Sequence, residues 1–140
     1  MDYTTNRRIA DMRIVADSSC DLTQEMKDKM DITLVPLTIS VGDKHFRDDE
    51  TLSIEEMLSA IDSSNDVPRS ACPSPQDFIN AFLEKGSVFA VTLTSALSGT
   101  YNSAILARDL FLQEHHEKFI HIFDSKGATA KETLIAVKLD

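Results

Sequence analysis

Hydroxyl-bearing residues, some with an aspartate beside them, form three short clusters, and their hydroxyls suit the binding of an anion. Each cluster follows an apolar run typical of a buried strand, and the clusters are Asp17-Ser18-Ser19, Ser95-Ala96-Leu97-Ser98-Gly99-Thr100 and Asp124-Ser125. A further hydroxyl, that of Ser70, lies in a proline-rich segment with Cys72. Hydroxyl groups and free backbone N–H groups at helix starts can hold a carboxylate or a phosphate. The clusters therefore predict an anion site.

The basic residues near these clusters limit the kind of anion that is expected. Lys126 and Arg69 are the basic residues within these segments. Neutral donors would therefore hold most of the ligand's charge, which favours a single carboxylate over a polyphosphate. Taken singly, each serine or threonine is better explained as a helix N-cap. The convergence of several clusters favours a binding site over capping alone.

Motifs of several enzyme classes are missing from the sequence. It contains no C-x-x-C, H-E-x-x-H, G-x-x-x-x-G-K or G-x-S-x-G, and its four histidines show no metal-ligand spacing. No metal or cofactor is therefore expected. A nucleophilic serine or cysteine needs an adjacent base, and no cluster contains a histidine. These residues favour a ligand-holding domain. The alternatives are a small-molecule acyl or phosphate ester hydrolase that uses the serines or Cys72, and a structural domain without a ligand.

The elements that would carry these clusters alternate between strands and helices. Four apolar runs predict core strands, and these are Arg13–Asp17, Ile32–Pro36, Val88–Thr92 and Phe119–Phe123. This alternation is typical of an α/β fold, with an open, mostly parallel sheet and helices on both faces. In such sheets ligands bind at the carboxyl ends of the strands, which is where the clusters occur.

Capping signals predict where the helices begin. Three predicted helices each begin at a capping residue. They run from Asp21 to Lys29, from Ser53 to Asp62 and from Ser74 to Lys85. Two more are predicted over Tyr101–Gln113 and Ala128–Leu139. Residues 37–48 predict a hairpin or an excursion at the edge of the sheet, and residues 63–75 predict a long loop with three prolines. Ser103 lies a turn inside its helix, so its hydroxyl is expected to bond to the preceding turn or to face solvent.

The composition limits the possible partners and the compartment. The 140 residues include 14 Lys and Arg against 23 Asp and Glu, a formal net charge of -9. This acidic balance argues against nucleic acid as a partner. No apolar run reaches the ~18 residues of a membrane span, so stable membrane insertion is not expected. Two cysteines, Cys20 and Cys72, cannot build a disulfide framework, and a reducing cytoplasm is the expected location.

The two ends of the chain predict one domain of a longer protein. Residues 1–12 are polar and without periodicity, which predicts a flexible leader before an α/β domain over residues 13–140. The last predicted helix reaches the final residues without a Gly or Pro stop signal. We therefore expect a domain that is truncated before a second one.

In these same segments the sequence resembles the DegV family, the fatty-acid-binding proteins of bacteria. The resemblance runs from Met12 to about Leu139, and its most specific part is the S-x-LSGTY-x-SA segment that begins at Ser95. Weaker parts occur in the same order, and they are DS-x-x-DL (Asp17, Ser18, Asp21, Leu22), VPL (Val35, Pro36, Leu37), P-x-S-x-x-PSP (Pro68, Ser70, Pro73, Ser74, Pro75) and the strand-end DS (Asp124, Ser125).

The resemblance implies a function for the anion site. Family members bury a long acyl chain and hold its carboxylate at the junction of two domains. They can serve as the non-catalytic binding subunit of a fatty-acid kinase, whose separate ATP-dependent subunit phosphorylates the carboxylate for phospholipid synthesis. By this resemblance Ser70 and Ser95 contact the carboxylate, and Ser98, Gly99 and Thr100 complete the cradle. Supporting positions are then Asp17, Ser18, Cys72, Asp124 and Ser125.

The sequence departs from the family pattern at two places in the implied site. Ser70-Ala71 stands where the family commonly has Thr-Ser, so one hydroxyl is kept and one is lost. Ala96 replaces a frequent second serine. Family members also carry a second domain, which supplies basic residues near the carboxylate and much of the acyl tunnel.

Overall fold

Seven strands and five helices make up the computed structural model, which describes residues 12–140. The strands are β1 Met12–Asp17, β2 Ile32–Val35, β3 Thr38–Val41, β4 Lys44–Arg47, β5 Arg69–Ala71, β6 Ser87–Thr92 and β7 Ile120–Asp124. The helices are α1 Gln24–Lys29, α2 Ile54–Ser63, α3 Pro75–Phe82, α4 Thr100–Glu114 and α5 Ala130–Leu139. The predicted leader lies outside the described residues except for Met12, which is the first residue of β1.

A parallel sheet of four strands forms the centre of the domain. Its order is β2-β1-β6-β7, and each neighbouring pair is parallel. The two central strands, β1 and β6, are buried over most of their length, as expected of strands that are covered on both faces. The four predicted core strands are therefore confirmed, and so is the α/β fold with a mostly parallel sheet.

A second, smaller sheet has the order β4-β3-β5 and is antiparallel throughout. The predicted hairpin supplies β3 and β4, with Gly42 in the turn at a φ of 56°. The strand β5 lies within residues 63–75, where the prediction of a continuous loop was wrong. All three residues of β5 are exposed, so its pairing with β3 comes from backbone hydrogen bonds and leaves no apolar pattern in the sequence.

Apolar side chains pack on both faces of the central sheet. One face carries α3 and α4, where Phe78, Phe82 and Phe111 pack against the strands. The other face carries α5, whose Ala136 packs with Ile14 of β1 and with other small or apolar residues. Burial on both faces fixes the sheet as a rigid support for the loops at its edge. Within residues 12–140, no helix combines the length and the apolar character needed to cross a bilayer.

Helix caps position the loops that lead away from the sheet. Ser53 and Ser74 cap α2 and α3 as predicted, and Ser74 forms a reciprocal capping box with Asp77. The prediction of Asp21 as the cap of α1 was wrong. Thr23 takes that place, and its hydroxyl accepts a 3.2 Å hydrogen bond from the backbone N–H of Met26. The backbone carbonyl of Asp21 instead accepts the hydroxyl of Thr133 in α5, so tertiary contact displaces the local signal.

Candidate functional site

The carboxyl ends of β1, β6 and β7 lie side by side because these strands are parallel neighbours. Thr92 at the end of β6 is level with Asp124 at the end of β7. Ala16, next to the end of β1, is level with Val91 of β6. The three hydroxyl and acidic clusters therefore meet at one edge of the sheet, which we call the carboxyl edge (Asp17–Ser19, Ser95–Thr100 and Asp124–Ser125).

Asp17 and Ser18 hold neighbouring segments together at this edge. Asp17 is fully buried, and its Oδ2 accepts a 2.6 Å hydrogen bond from the backbone N–H of Leu93, which follows β6. The Ser18 hydroxyl accepts the backbone N–H of Leu37 at 3.0 Å. Both side chains are therefore engaged within the fold, and they position the loops around the site.

Ser95 is exposed and interacts with the carboxylate of Asp124. Its hydroxyl donates to Asp124 Oδ2 at 2.5 Å, and its backbone N–H donates to Oδ1 at 3.2 Å. Lys126 donates to the same two oxygens, with Nζ 2.8 Å from Oδ2 and the backbone N 3.1 Å from Oδ1. The hydrogen bonds from Lys126 and from Ser95 hold the pKa of Asp124 well below its usual range. Asp124 is therefore ionised at neutral pH.

The start of α4 supplies the remaining residues of the Ser95–Thr100 cluster. The hydroxyls of Ser98 and Thr100 lie 2.8 Å apart, and the Thr100 backbone N–H donates to the Ser98 hydroxyl at 3.2 Å. Thr100 is fully buried. Gly99 occupies the N-cap position, and no side chain caps the helix there. The N-terminus of this 15-residue helix carries partial positive charge, which favours an anion nearby.

The proline-rich segment reaches the start of α4 through Cys72 and Pro73. The Cys72 side chain is so close to Gly99 that a Cβ on that glycine would lie 3.3 Å from Sγ. Ser70 precedes Cys72 by two residues, a distance of at most about 7 Å along an extended chain. Ser70 itself is exposed on β5. The structure therefore places the Ser70 segment beside the Ser95–Thr100 cluster.

Ser103 fastens this proline-rich segment to α4. Its hydroxyl donates to the backbone carbonyl of Pro73 at 2.6 Å, in a buried position. The expectation of a local or solvent-facing hydroxyl was wrong, because the bond joins residues 30 positions apart and such a partner has no local signal.

Replacing Ser103 with alanine should therefore lower the stability of the domain. The change leaves the carbonyl of Pro73 without its buried partner, and an unsatisfied buried group costs about 1–3 kcal/mol. Urea unfolding would measure the loss of free energy of unfolding. Ser63→Ala is the matched control, because the Ser63 hydroxyl is exposed and bonds within α2. A Ser103 variant as stable as the control would contradict this role.

One buried residue at this edge, Glu132, was not predicted from the sequence, and it contacts the half-buried Ser19 of the Asp17–Ser19 cluster. Glu132 of α5 is fully buried, and the Ser19 hydroxyl lies 2.8 Å from its Oε1 and 2.5 Å from Asp17 Oδ1. The sequence signal that could have indicated the burial of Glu132 is its position four residues before Ala136, a core residue on the same face of α5. Ser125 is also buried, and its hydroxyl donates to the carbonyl of Gly127 at 3.0 Å. Ser125 thus stabilises the loop after β7.

The hydrogen bonds at this edge are unlike those of a nucleophile and its base. The side-chain partner of Ser95 is a carboxylate. Within residues 12–140, a serine and a histidine form a hydrogen bond on the exposed β3–β4 hairpin, where Ser40 and His45 lie 2.8 Å apart. This pair does not belong to the carboxyl edge. Burial raises the pKa of the Cys20 thiol to about 11, so this cysteine is a packing residue. Among residues 12–140, no group of three or more His, Cys, Asp or Glu side chains could hold a metal ion.

The fold is an open α/β domain that carries hydroxyl and acidic clusters at the carboxyl ends of its central strands. A family model described as "Uncharacterised protein, DegV family" matches residues 11–140. The chain belongs to the DegV family, as its resemblance to that family predicts.

Similar proteins and solved structures agree with this assignment. A DegV domain-containing protein of Streptococcus pneumoniae (strain ATCC BAA-255 / R6) is 40% identical over 130 residues, which is 91% of this chain and 46% of the relative. A DegV domain-containing protein of Streptococcus gordonii is 41% identical over 131 residues, again 91% of this chain and 46% of the relative. The chain thus spans about half the length of these relatives.

Three of the structural neighbours are described with a fatty acid bound. A DegV family protein from Ruminococcus gnavus, refined with vaccenic acid, superposes with a TM-score of 0.84 at 38% identity, over 91% of this chain and 46% of that one. A DegV family protein from Eubacterium eligens, loaded with heptadecanoic acid, has a TM-score of 0.82 at 37% identity, over 91% of this chain and 45% of that one. The Streptococcus pneumoniae Fatty Acid Kinase (Fak) B3 protein, loaded with linoleic acid, has a TM-score of 0.82 at 38% identity, over 91% of this chain and 46% of that one.

Proposed function

We propose that this chain binds the carboxylate of a long-chain fatty acid at its carboxyl edge. Ser70 and Ser95 would donate hydroxyl hydrogen bonds to the carboxylate, and Ser98, Gly99 and Thr100 would form the cradle at the start of α4. The observation that carries this proposal is the exposed Ser95 hydroxyl in the segment that leads into α4, a helix whose N-cap residue, Gly99, has no side chain. Its support from other proteins is the fatty acid in neighbours of 37–38% identity.

The remaining residues of the predicted site have supporting roles in this proposal. Asp17 and Ser18 accept hydrogen bonds from backbone N–H groups of neighbouring segments, and Ser125 donates to the carbonyl of Gly127 within its own loop. These three residues would keep the cradle in place. Asp124 orients Ser95 through two hydrogen bonds. Cys72 packs against Gly99 and would set the distance between the proline-rich segment and α4.

We also propose a place for the full-length protein in metabolism. It would present the bound fatty acid to a separate ATP-dependent kinase subunit in the cytoplasm, and the acyl phosphate would enter phospholipid synthesis. The Fak B3 neighbour supports this role through its name. On this proposal the chain is a binding subunit and the kinase partner is the catalyst. A segment equivalent to the half of the relatives that this chain does not span would add further cover for the acyl chain.

Native mass spectrometry tests the binding proposal directly. The 140-residue chain would be purified, stripped of lipid and incubated with oleate, and the expected spectrum contains a species heavier by one oleate. Oleyl alcohol serves as the matched control ligand, because it has the same chain without the carboxylate. A spectrum without an oleate adduct, or with equal amounts of both adducts, would contradict recognition of a carboxylate.

A further inference from the structure

Asp124 occupies an unusual position for an anion site, because it places a negative charge directly beside Ser95. Its side chain is 9% exposed, whereas that of Lys126 is 72% exposed. An ionised carboxylate next to the proposed ligand carboxylate would repel it, and the repulsion is strong where water is partly excluded. A cation at Asp124 is therefore needed for the site to accept an anion.

The hydroxyl of Ser95 can serve one acceptor at a time, because it carries a single proton. In the structure that proton is donated to Asp124 Oδ2. If the Ser95 hydroxyl donates its hydrogen bond to the ligand carboxylate instead, Asp124 Oδ2 keeps one side-chain donor, the ammonium of Lys126 at 2.8 Å. Without ligand, Ser95 and Lys126 both donate to Asp124 Oδ2. With ligand bound, Lys126 would be the side chain that compensates the charge of Asp124.

The backbone holds Lys126 in the conformation that this task requires. Lys126 has a φ of 55°, in the left-handed region that residues other than glycine seldom adopt. The loop is fixed on the neighbouring segment, because the backbone N–H of Thr94 donates to the carbonyl of Gly127 at 3.0 Å. A strained residue that is held by its surroundings is typical of functional sites.

We propose that Lys126 is a positioning residue of the carboxylate site. It neutralises the charge of Asp124 when the Ser95 hydroxyl donates its hydrogen bond to the ligand. This inference rests on the proposed function. It assigns Lys126 an effect on charged ligands alone, since a ligand without a carboxylate adds no charge beside Asp124. A residue that only maintained the fold would affect charged and neutral ligands alike.

The test compares Lys126→Met with Lys138→Met in the 140-residue chain. Both changes remove one positive charge, but Lys138 lies in the last turn of α5, far along the helix from the loop. Calorimetric titration would measure the affinity of each variant for oleate and for oleyl alcohol. Lys126→Met should weaken oleate binding about fivefold, as expected of a partly exposed ion pair. Its affinity for oleyl alcohol should match that of the control, and Lys126→Arg should restore oleate binding.

The outcomes separate this inference from the function on which it rests. Equal losses for oleate and oleyl alcohol, or oleate affinity equal to that of Lys138→Met, would overturn the role of Lys126 and leave carboxylate binding intact. Failure of the unmodified chain to bind oleate would overturn the proposed function, and the role of Lys126 with it.

Discussion

Replacing Glu132 with glutamine should remove most of the dependence of folding stability on pH near neutrality. Glu132 and Asp17 are both fully buried, and the hydroxyl of Ser19 contacts one oxygen of each. That hydroxyl has one proton for two acceptors. A second proton must therefore lie on one of the two carboxyl groups.

The hydrogen bonds identify Glu132 as the protonated partner. Asp17 accepts backbone N–H groups from Leu93 at 2.6 Å and from Ser19 at 3.1 Å. Glu132 Oε2 has no hydrogen-bond partner despite being buried. Burial first, and then the charge of Asp17, raises the pKa of Glu132 to about 8. Glu132 is therefore neutral in the folded protein at neutral pH.

The sign of the pH effect follows from this raised pKa. The folded state holds a proton that the unfolded chain releases near the ordinary glutamate pKa of 4.5. Stability should fall as the pH rises from that value to about 8, and should level off above it. One unit of pKa difference corresponds to about 1.4 kcal/mol, so the loss over this range should amount to a few kcal/mol.

Urea unfolding across this pH range would measure the effect. In Glu132→Gln the neutral amide keeps a donor for Ser19, so its free energy of unfolding should vary much less with pH. Glu117→Gln is the control, because Glu117 is exposed between α4 and β7. Parallel pH profiles for the unmodified chain and Glu132→Gln would show that Glu132 does not carry the proton.

Replacing Ser95 with alanine should weaken oleate binding roughly tenfold or more. A hydrogen bond to a charged group contributes about 1.5–3 kcal/mol, and the exposed hydroxyl of Ser95 is the donor that the proposed function assigns to the carboxylate. The change also removes one of the hydrogen bonds on Asp124, while the backbone bond from Ser95 remains available. The local fold should therefore persist.

Calorimetric titration with oleate would compare Ser95→Ala with Ser63→Ala. Ser63 lies at the end of α2 and outside the predicted site, and its hydroxyl bonds within its own helix to the carbonyl of Ser59 at 2.7 Å. Circular dichroism would verify that both variants are folded. Equal oleate affinities for the two variants would remove Ser95 from the site.

The central sheet is predictable from sequence because buried strands leave a strong apolar pattern. Residues such as Val15, Val88 and Ile122 pack in the core cluster that the four apolar runs predict. β5 leaves no such pattern, because exposed residues pair through their backbone. The cap of α1 is mispredicted for another reason, since Asp21 and Thr23 are both good capping residues and the contact between Asp21 and Thr133 decides between them.

The location of the candidate site is more predictable than its internal hydrogen bonds. Strand-end clusters meet at one edge in any parallel sheet, so the proximity of Asp17, Ser95 and Asp124 follows from the order of the elements. The partners of Ser103 and Glu132 depend on segments 30 and 113 residues away, respectively. Nothing in the local sequence specifies such partners. The roles of Ser70 and Ser95 toward a ligand remain predictions.

The carboxyl edge is assembled from segments that lie far apart in the chain, and this couples ligand affinity to folding. The hydrogen bond between Leu93 and Asp17 alone spans 76 residues, so no partly folded state that lacks the β1–β6 pairing contains the complete site. A ligand at this edge would therefore bind the native state and leave unfolded chains free. At a concentration of 100 times its Kd, such a ligand raises the free energy of unfolding by about 2.7 kcal/mol. Amide hydrogen exchange should then slow throughout the central sheet, including at strands that never touch the ligand.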